Sequence, residues 1–343
     1  MITLLLAVGI STVVSLVGTK LLILWLTRRA IGQPIHEDVP EGHLVKAGTP
    51  TMGGIAIVVG GLAGYIGSNL YYGVFTWTGI AVMLAIGGAG LVGFLDDWIK
   101  ISNERNLGLG KGAKLGGLLA VAIGFTLLML WRTKVHTTIS FTQWYDVGWE
   151  LGKVGWAVWA VLLILGASNA VNLTDGLDGL AAGSAGLVFA GYLVIGYWIF
   201  RYSGFYGINV GLDLAIVSAA MMGACAGFLW YNAAPAQIFM GDTGSLAIGT
   251  GLAALALSSS TALLLPILGL LFVIETTSVI LQVASFRMFG RRIFKMAPIH
   301  HHFELKGWPE TRVIIRMWML TAACTALGLG LFYREFIRGG GLG

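Results

Sequence analysis

Charged side chains are scarce in this chain: they make up 11% of its 343 residues, where a soluble domain carries about 25%. That scarcity excludes an ordinary soluble enzyme. The net charge of +5 is not a nucleic-acid footprint either, because the basic residues are sorted by position along the chain. Cysteine is nearly absent. Cys225 and Cys324 both fall inside apolar runs, at no spacing that suits a metal site or a disulfide framework. Proline is rare too, with seven against fifty-one glycines, a balance that suits close helix packing through small-residue faces such as Gly60/Gly64 and Gly223/Gly227. No internal repeat is evident, which argues against a transporter built from inverted halves. A nucleotide-binding phosphate loop is missing, since Gly108-Leu109-Gly110-Lys111 lacks the required spacing.

What is present is apolar sequence, 57% of the chain, arranged in runs. A membrane span needs about 20 apolar residues. Ten runs qualify, roughly 2–26, 51–70, 77–95, 115–131, 154–171, 179–200, 212–231, 244–260, 262–286 and 314–333. The expected fold is therefore an all-α polytopic membrane protein of about ten transmembrane helices, a single domain over residues 1–343. The first run is too long for a signal-peptide core and is followed by Arg28-Arg29, so it reads as a retained span. Segment 132–153, with Trp144, Tyr145 and Trp149 among polar residues, reads as an interfacial hairpin or short helix with aromatic anchors.

Four polar islands interrupt the apolar runs: Asp96-Asp97, Asn172 to Gly179, Gly241 to Ser245, and His300-His301-His302. Between consecutive islands the chain has room for an even number of crossings, so all four emerge on one side of the bilayer. Of the 21 Lys and Arg residues, Arg132, Lys134, Lys153, Arg201, Arg334 and Arg338 lie on the opposite side. Lys20 lies within the first span, and the remaining fourteen share the side of the islands. The positive-inside rule then places the islands in the cytoplasm and both termini outside. Acidic groups near hydrocarbon cost a few kcal/mol each and mark function. Four islands on one face form one candidate active site.

Asp96-Asp97 end the third span, where the helix dipole favours cations. Adjacent helical residues point about 100° apart, so the two carboxylates are expected to play different parts: one can face a substrate while its neighbour meets a lysine or a metal, the alternative being a solvated helix end. Neighbouring carboxylates raise each other's proton affinity, which suits a general base. Asn172, Asp175 and Asp178 recur every three residues, a spacing that groups them on one face of a helical turn. Asp175 alone is also explained as the N-cap of the sixth span. Gly241-Asp242-Thr243-Gly244-Ser245 opens the eighth span. Asp242 is a helix cap or, with the other acidic islands, a ligand of a hard cation such as Mg²⁺, which takes one or two carboxylates plus phosphate oxygens. Lys46, Lys100 and Lys111 supply the positive charge that phosphates need, and such a mixed site fits phosphoryl transfer. The three histidines cannot all face one ion on a helix; in extended chain His300 and His302 share a face, and phosphate contacts suit them. Glu275, the only acidic residue deep in a predicted span, reads as a partner within the bundle.

With these residues in hand, the chain resembles the phospho-N-acetylmuramoyl-pentapeptide transferase family, among the polyprenyl-phosphate N-acetylhexosamine-1-phosphate transferases. The resemblance rests on five motifs in order: Lys46 to Gly54, Asp96 to Lys100, Asn169 to Gly179, Phe239 to Ser245 and Pro298 to Glu304. It implies transfer of phospho-MurNAc-pentapeptide from UDP-MurNAc-pentapeptide to undecaprenyl phosphate in the bacterial cytoplasmic membrane, with release of UMP and a requirement for Mg²⁺. It further implies that Asp242 is the metal ligand with Asn172 close by. Asp96 would be the base acting on the lipid phosphate, supported by Asp97 and Asp175. Asp178, Asn232 and Phe239 would form the nucleoside pocket, with Phe239 stacked on uracil. Lys46, Lys111, His300, His301 and His302 would contact the diphosphate and sugar. Thr51, Lys100, Asn169, Gly176, Leu177, Gly241, Ser245, Gln282 and Ala297 complete the substrate contacts that the resemblance implies. Trp98 stands where some wider-superfamily members carry a third acidic residue. Family members are commonly homodimers. A sister transferase of GlcNAc-1-phosphate shares the aspartates, but the Lys46–Gly54 and Pro298–Glu304 segments favour the muramoyl-peptide substrate. A secondary transporter would place its charges near the midplane, whereas these islands sit at span ends.

Overall fold

In bilayer hydrocarbon every backbone polar group has to be satisfied within the protein, which leaves helices as the economical solution for a chain of apolar runs. The computed structural model describes residues 1–29, 48–102 and 108–340, apart from the side chain of Tyr72. The described residues are mostly helical. In chain order the helices are α1 (Ile2–Arg28), α2 (Gly54–Tyr72), α3 (Trp77–Ser102), α4 (Lys111–Arg132), α5 (Gly152–Thr174), α6 (Leu180–Arg201), α7 (Ser203–Tyr206), α8 (Gly211–Asn232), α9 (Gly241–Ser258), α10 (Leu265–Leu268), α11 (Leu270–Phe289), α12 (Ile299–Glu304) and α13 (Glu310–Arg338). The only sheet among the described residues pairs β1 (Thr138–Ile139) antiparallel with β2 (Trp149–Glu150). Of the two forms expected for segment 132–153, a hairpin or a short helix, it is the hairpin that forms. Its turn is tied by Asp146, whose carboxylate accepts the amides of Phe141, Thr142 and Gln143.

Nine of the described helices are long and apolar enough to cross a membrane. The tenth expected span is α9, which lies at the centre and is buried along nearly its whole length. It meets protein on every side, so it carries Asp242, Thr243, Ser245 and Thr250 without exposing them to lipid. Small residues let its neighbours approach. Gly93 of α3 lies against the Asp242–Thr243 backbone, and Gly249 lies against Ala167 and Ser168 of α5; a Cβ at either position would overlap backbone. The four glycines singled out from sequence all face α1. A Cβ on Gly64 would come within 2.7 Å of the Ala7 carbonyl, and one on Gly223 within 2.6 Å of the Val8 carbonyl. Helix α1 is thereby held between α2 and α8, with Ser15 Oγ donating to the Ala224 carbonyl at 2.7 Å.

The run expected as one span over 262–286 is divided. Chain beyond α9 turns at Ser260 (φ 54°), forms the single turn α10 with Pro266 in its first positions, and restarts at α11 after Gly269. Proline is at home in a first helical turn, so an apolar run that reads as continuous contains a helix start three residues inside it. The end of the bundle away from the polar islands is tied by Asp213 in the first turn of α8. Its Oδ2 accepts Thr76 N (2.9 Å) and Thr76 Oγ1 (2.6 Å), which joins α8 to the start of α3.

Alternate crossings put the α4–α5 connection at the opposite end from the α11–α12 connection. Single cysteines replacing Lys153 and Arg292, in protein whose Cys225 and Cys324 are alanine, are expected to react with an impermeant maleimide from opposite sides of sealed vesicles. Same-side labelling contradicts this arrangement.

Candidate active site

The two aspartates at the end of α3 diverge as their helical spacing requires. Asp97 turns toward α9: its carboxylate accepts the amides of Asp242 (3.1 Å) and Thr243 (3.0 Å) and the Thr243 hydroxyl (2.7 Å). Helix α9 has no side-chain cap of its own, so Asp97 supplies from another helix the acceptor that its free N-terminal amides need. Asp96 turns to the other side, where Oδ1 accepts the Leu109 amide at 2.8 Å and Oδ2 lies 2.6 Å from Lys100 Nζ. Asp242 is not a helix cap. Its Oδ2 lies 2.7 Å from both Lys100 Nζ and Lys114 Nζ.

One oxygen from each of Asp96, Asp97 and Asp242 falls within 4.8 Å of the others, and all three residues are buried. Three carboxylates so close repel one another and favour a cation between them. Two lysines provide it here. Lys100 reaches all three aspartates, at 3.7 Å from Asp97 Oδ1. Lys114 was not anticipated as a site residue. Lys111 lies exposed in the first turn of α4, and Lys114, one turn further on, is the residue that faces Asp242. The three-residue spacing of the two lysines on a helix was the available signal.

Asn172, Asp175 and Asp178 do not share one helical turn. Helix α5 ends at Thr174, Asp175 is its C-cap, and α6 begins after Gly179 at φ 77°. The earlier alternative of Asp175 as the N-cap of α6 also fails, because Gly179 holds that place. Asn172 stays with the aspartates, since its Oδ1 accepts Ser245 Oγ from α9 at 2.8 Å. Burial pushes the Asp175 carboxyl well above the usual carboxylate range, reinforced by the negative charges of Asp242, Asp97 and Asp178. Asp178 belongs to a second group: it accepts the Ala236 amide (2.9 Å), and its own amide donates to Glu310 Oε1 (3.0 Å). Asn232 donates to the Ile238 carbonyl at 2.9 Å, which shapes the turn leading to Phe239. Gly176 is exposed, whereas the Leu177 side chain is buried in a cluster with Leu180, Leu271 and Val313.

Phe239 is half-buried, and its backbone pairs with the segment before α2. Its amide donates to the Pro50 carbonyl (2.8 Å) and its carbonyl accepts the Gly53 amide (2.9 Å). Thr51 is buried beside this pairing, and Gly241 follows at φ 71°. Lys46 lies outside the described residues. Asn169 is exposed, with its amide donating to the Leu165 carbonyl. Gln282 braces the chain between α11 and α12, accepting the amides of Ile293 and Phe294 and donating to the Phe294 carbonyl, and Ala297 follows, half-buried.

The histidines stand on a helix, α12, and not on extended chain. A helix separates neighbours by about 100°, so His300 and His301 turn inward with rings 4.2 Å apart, while His302 turns to the loop and accepts the Lys295 amide at 3.1 Å. Partial burial and the charges of Lys306 and Lys295 lower the affinity of His302 for a proton. His300 pairs with Glu275 and His301 with Glu304. Glu304 and Glu310 were not foreseen as neighbours of the site. For Glu304 the three-residue spacing from His301 on a helix was the available signal; for Glu310, reaching the Asp178 amide from α13, no spacing announced it.

Residues 79–260 match the profile of Glycosyl transferase family 4, and residues 46–58 match signature 1 of the phospho-N-acetylmuramoyl-pentapeptide-transferases. The chain is 50% identical over 352 residues to a protein named phospho-N-acetylmuramoyl-pentapeptide-transferase from Frankia alni, a comparison that covers 98% of each chain. Proteins of the same name from Streptomyces avermitilis (48% identical; 93% of this chain and 94% of the relative) and Mycolicibacterium vanbaalenii (48%; 97% and 98%) are similar over comparable lengths.

Asp97→Ala leaves two buried amides and a hydroxyl at the start of α9 without an acceptor. It is expected to destabilise the protein by about 3 kcal/mol, since each stranded buried donor costs roughly 1–3 kcal/mol. Asp97→Asn keeps one acceptor oxygen and is expected to lose about half as much. Thermal unfolding in detergent measures both; an alanine variant as stable as the parent shows that Asp97 does not hold α9.

Proposed function

The chain belongs to the phospho-N-acetylmuramoyl-pentapeptide transferase family, and from that premise we propose how its residues carry out the reaction. The protein transfers phospho-MurNAc-pentapeptide to a lipid carrier and so makes lipid I. The relatives' names favour this over the sister transfer of GlcNAc-1-phosphate. The observation that carries the residue assignment is the buried group of Asp96, Asp97 and Asp242 with Lys100 and Lys114, set at the end of the bundle where a lipid phosphate and a soluble nucleotide can meet.

A non-bridging oxygen of undecaprenyl phosphate attacks the sugar-bearing phosphorus of UDP-MurNAc-pentapeptide. The bond from that phosphorus to the bridging oxygen breaks, and UMP leaves with that oxygen. One diphosphate is exchanged for another, so no nucleotide hydrolysis is needed to drive the step. Asp96 takes the residual proton of the acceptor phosphate and holds it in line. Lys100 and Lys114 offset the charge of the diphosphate, where positioning and neutralisation do most of the catalytic work. Asp97 acts at one remove, by fixing the turn that aims Asp242. Phe239, Asp178 and Asn232 form the uracil side. Lys46, Lys111, His300 and His301 form the diphosphate and sugar side.

The donor set suits Mg²⁺: hard carboxylate oxygens converge without any soft ligand. Asp242 would hold the ion with Asn172 close by, and a bound ion would neutralise charge on the diphosphate. We read the protein as a homodimer of the bacterial cytoplasmic membrane, with the site on the cytoplasmic face.

A carboxylate nucleophile would have to approach an anionic diphosphate beside two further aspartates, and the lysines screen that repulsion only in part. An attacking lipid phosphate avoids this, so direct displacement is favoured over a phospho-aspartate relay.

Purified protein with UDP-MurNAc-pentapeptide, undecaprenyl phosphate and Mg²⁺ is expected to release UMP, and to stop when the metal is chelated. Asp242→Asn, which keeps size but removes charge, is expected to lower turnover by several orders of magnitude with the fold intact. Near-normal turnover of this variant across a Mg²⁺ titration removes Asp242 from the metal site. Enzyme stripped of lipid is expected not to exchange labelled UMP into UDP-MurNAc-pentapeptide. Sustained exchange without acceptor establishes the covalent relay instead.

A further inference from the structure

Glu275 lies on α11, entirely excluded from solvent. A carboxylate within a membrane span is costly unless it is paired. Its partner is His300, equally buried, with Nδ1 3.0 Å from Glu275 Oε2. Contact with a carboxylate requires a proton on Nδ1, whether the ring is neutral or charged. Nε2 is then the one ring nitrogen left for a ligand. It is buried, has no hydrogen-bond partner among the described residues, and is aimed at the backbone of Gly176, where a Cβ would collide with it. His301 is oriented in a similar way. Its Nδ1 lies 2.7 Å from Glu304 Oε2, and its Nε2 would lie 3.4 Å from the same added Cβ. Two imidazoles, each held by a carboxylate at one nitrogen, thus direct the other nitrogen at the Asn172–Gly179 loop. Metal-binding histidines are oriented in the same way by partners behind them.

We propose that Glu275 is a positioning residue for the transfer: it fixes the His300 ring with the proton on Nδ1, so that Nε2 stands behind Gly176 of the Asn172–Gly179 loop, the loop that meets the UDP-sugar. The proposal rests on the function given above, in that the ligand is the UDP-sugar. A pair that only joined α11 to α12 would be replaceable by apolar side chains with no loss of stability and no change in catalysis.

The test uses the full-length protein in lipid and four variants: Glu275→Leu, Glu275→Gln, His300→Gln, and the double variant Glu275→Leu/His300→Gln. Glu275→Leu is expected to lower kcat/KM for UDP-MurNAc-pentapeptide by about 10–100-fold, the range for lost orienting partners, with KM for undecaprenyl phosphate unchanged. Glu275→Gln retains an acceptor for Nδ1–H and is expected to recover most of the loss. His300→Gln is expected to lose as much as Glu275→Leu, and the double variant no more than His300→Gln, to within about twofold. In ¹⁵N-histidine spectra, assigned by the signal that His300→Gln removes, the proton is expected on Nδ1 in the parent and in Glu275→Gln, and redistributed in Glu275→Leu. The proposal is overturned if Glu275→Leu retains parental kcat/KM, if the two losses multiply in the double variant, or if Glu275→Gln restores nothing. A parent protein that releases no UMP marks failure of the functional premise instead, and the spectra then test by themselves whether Glu275 holds the proton on His300 Nδ1.

Discussion

The hydrogen bonds from the first turn of α9 to Asp97 are the interaction on which the rest of the site depends. They join the end of α3 to the start of α9 and satisfy amides that would otherwise be buried without a partner. They also set the direction of the two neighbouring carboxylates. With Asp97 committed to α9, Asp96 is rotated by one residue toward Lys100, and Asp242, one position into the capped turn, meets Lys100 and Lys114. A similar bond acts at the far end of α3, where Asp213 of α8 accepts from Thr76. Helix α3 is therefore fixed at both ends by carboxylates exchanged with other helices.

Close approach of backbones makes these bonds possible. Gly93 admits the Asp242–Thr243 peptide, and Gly54 and Gly244 meet where α2 crosses α9. Any side chain at Gly93 would push α9 away and lengthen the bonds to Asp97. The abundance of glycine, read from composition as a packing device, thus bears directly on the chemistry. It lets a polar helix occupy the centre of an apolar bundle.

Charge is the second constraint. Three aspartates gathered in a buried site are tolerable only beside cations, and Lys100 and Lys114 come from two helices to provide them. The histidine helix is arranged on the same logic. Carboxylates stand behind the two inward rings, and the third ring, beside Lys295 and Lys306, remains at the surface. An acidic side chain deep in α11 is explained by what it holds.

Much of this was determined by the sequence alone. Hydrophobic runs place the helices because a bilayer leaves the backbone no alternative, and an even number of crossings between islands brings Asp96, Asn172, Asp242 and His300 to one end whatever the packing. The glycine pairs on α2 and α8 were readable as contact faces or as the ordinary glycine of membrane helices, and packing against α1 decided for the first. What the sequence left open was rotation and local termination. It did not say which of two adjacent aspartates faces the lysines, or that Lys114 and not Lys111 reaches Asp242. The end of α5 at Thr174, which separates Asp178 from Asn172, was equally unmarked, as was the helical state of the three histidines; the start of α10 inside an apolar run was marked only by Pro266. These depend on contacts between residues far apart in the chain, Asp97 with Thr243 and Glu275 with His300 among them. Spacing along one segment carries information about its own face, and only the packed bundle decides what that face meets.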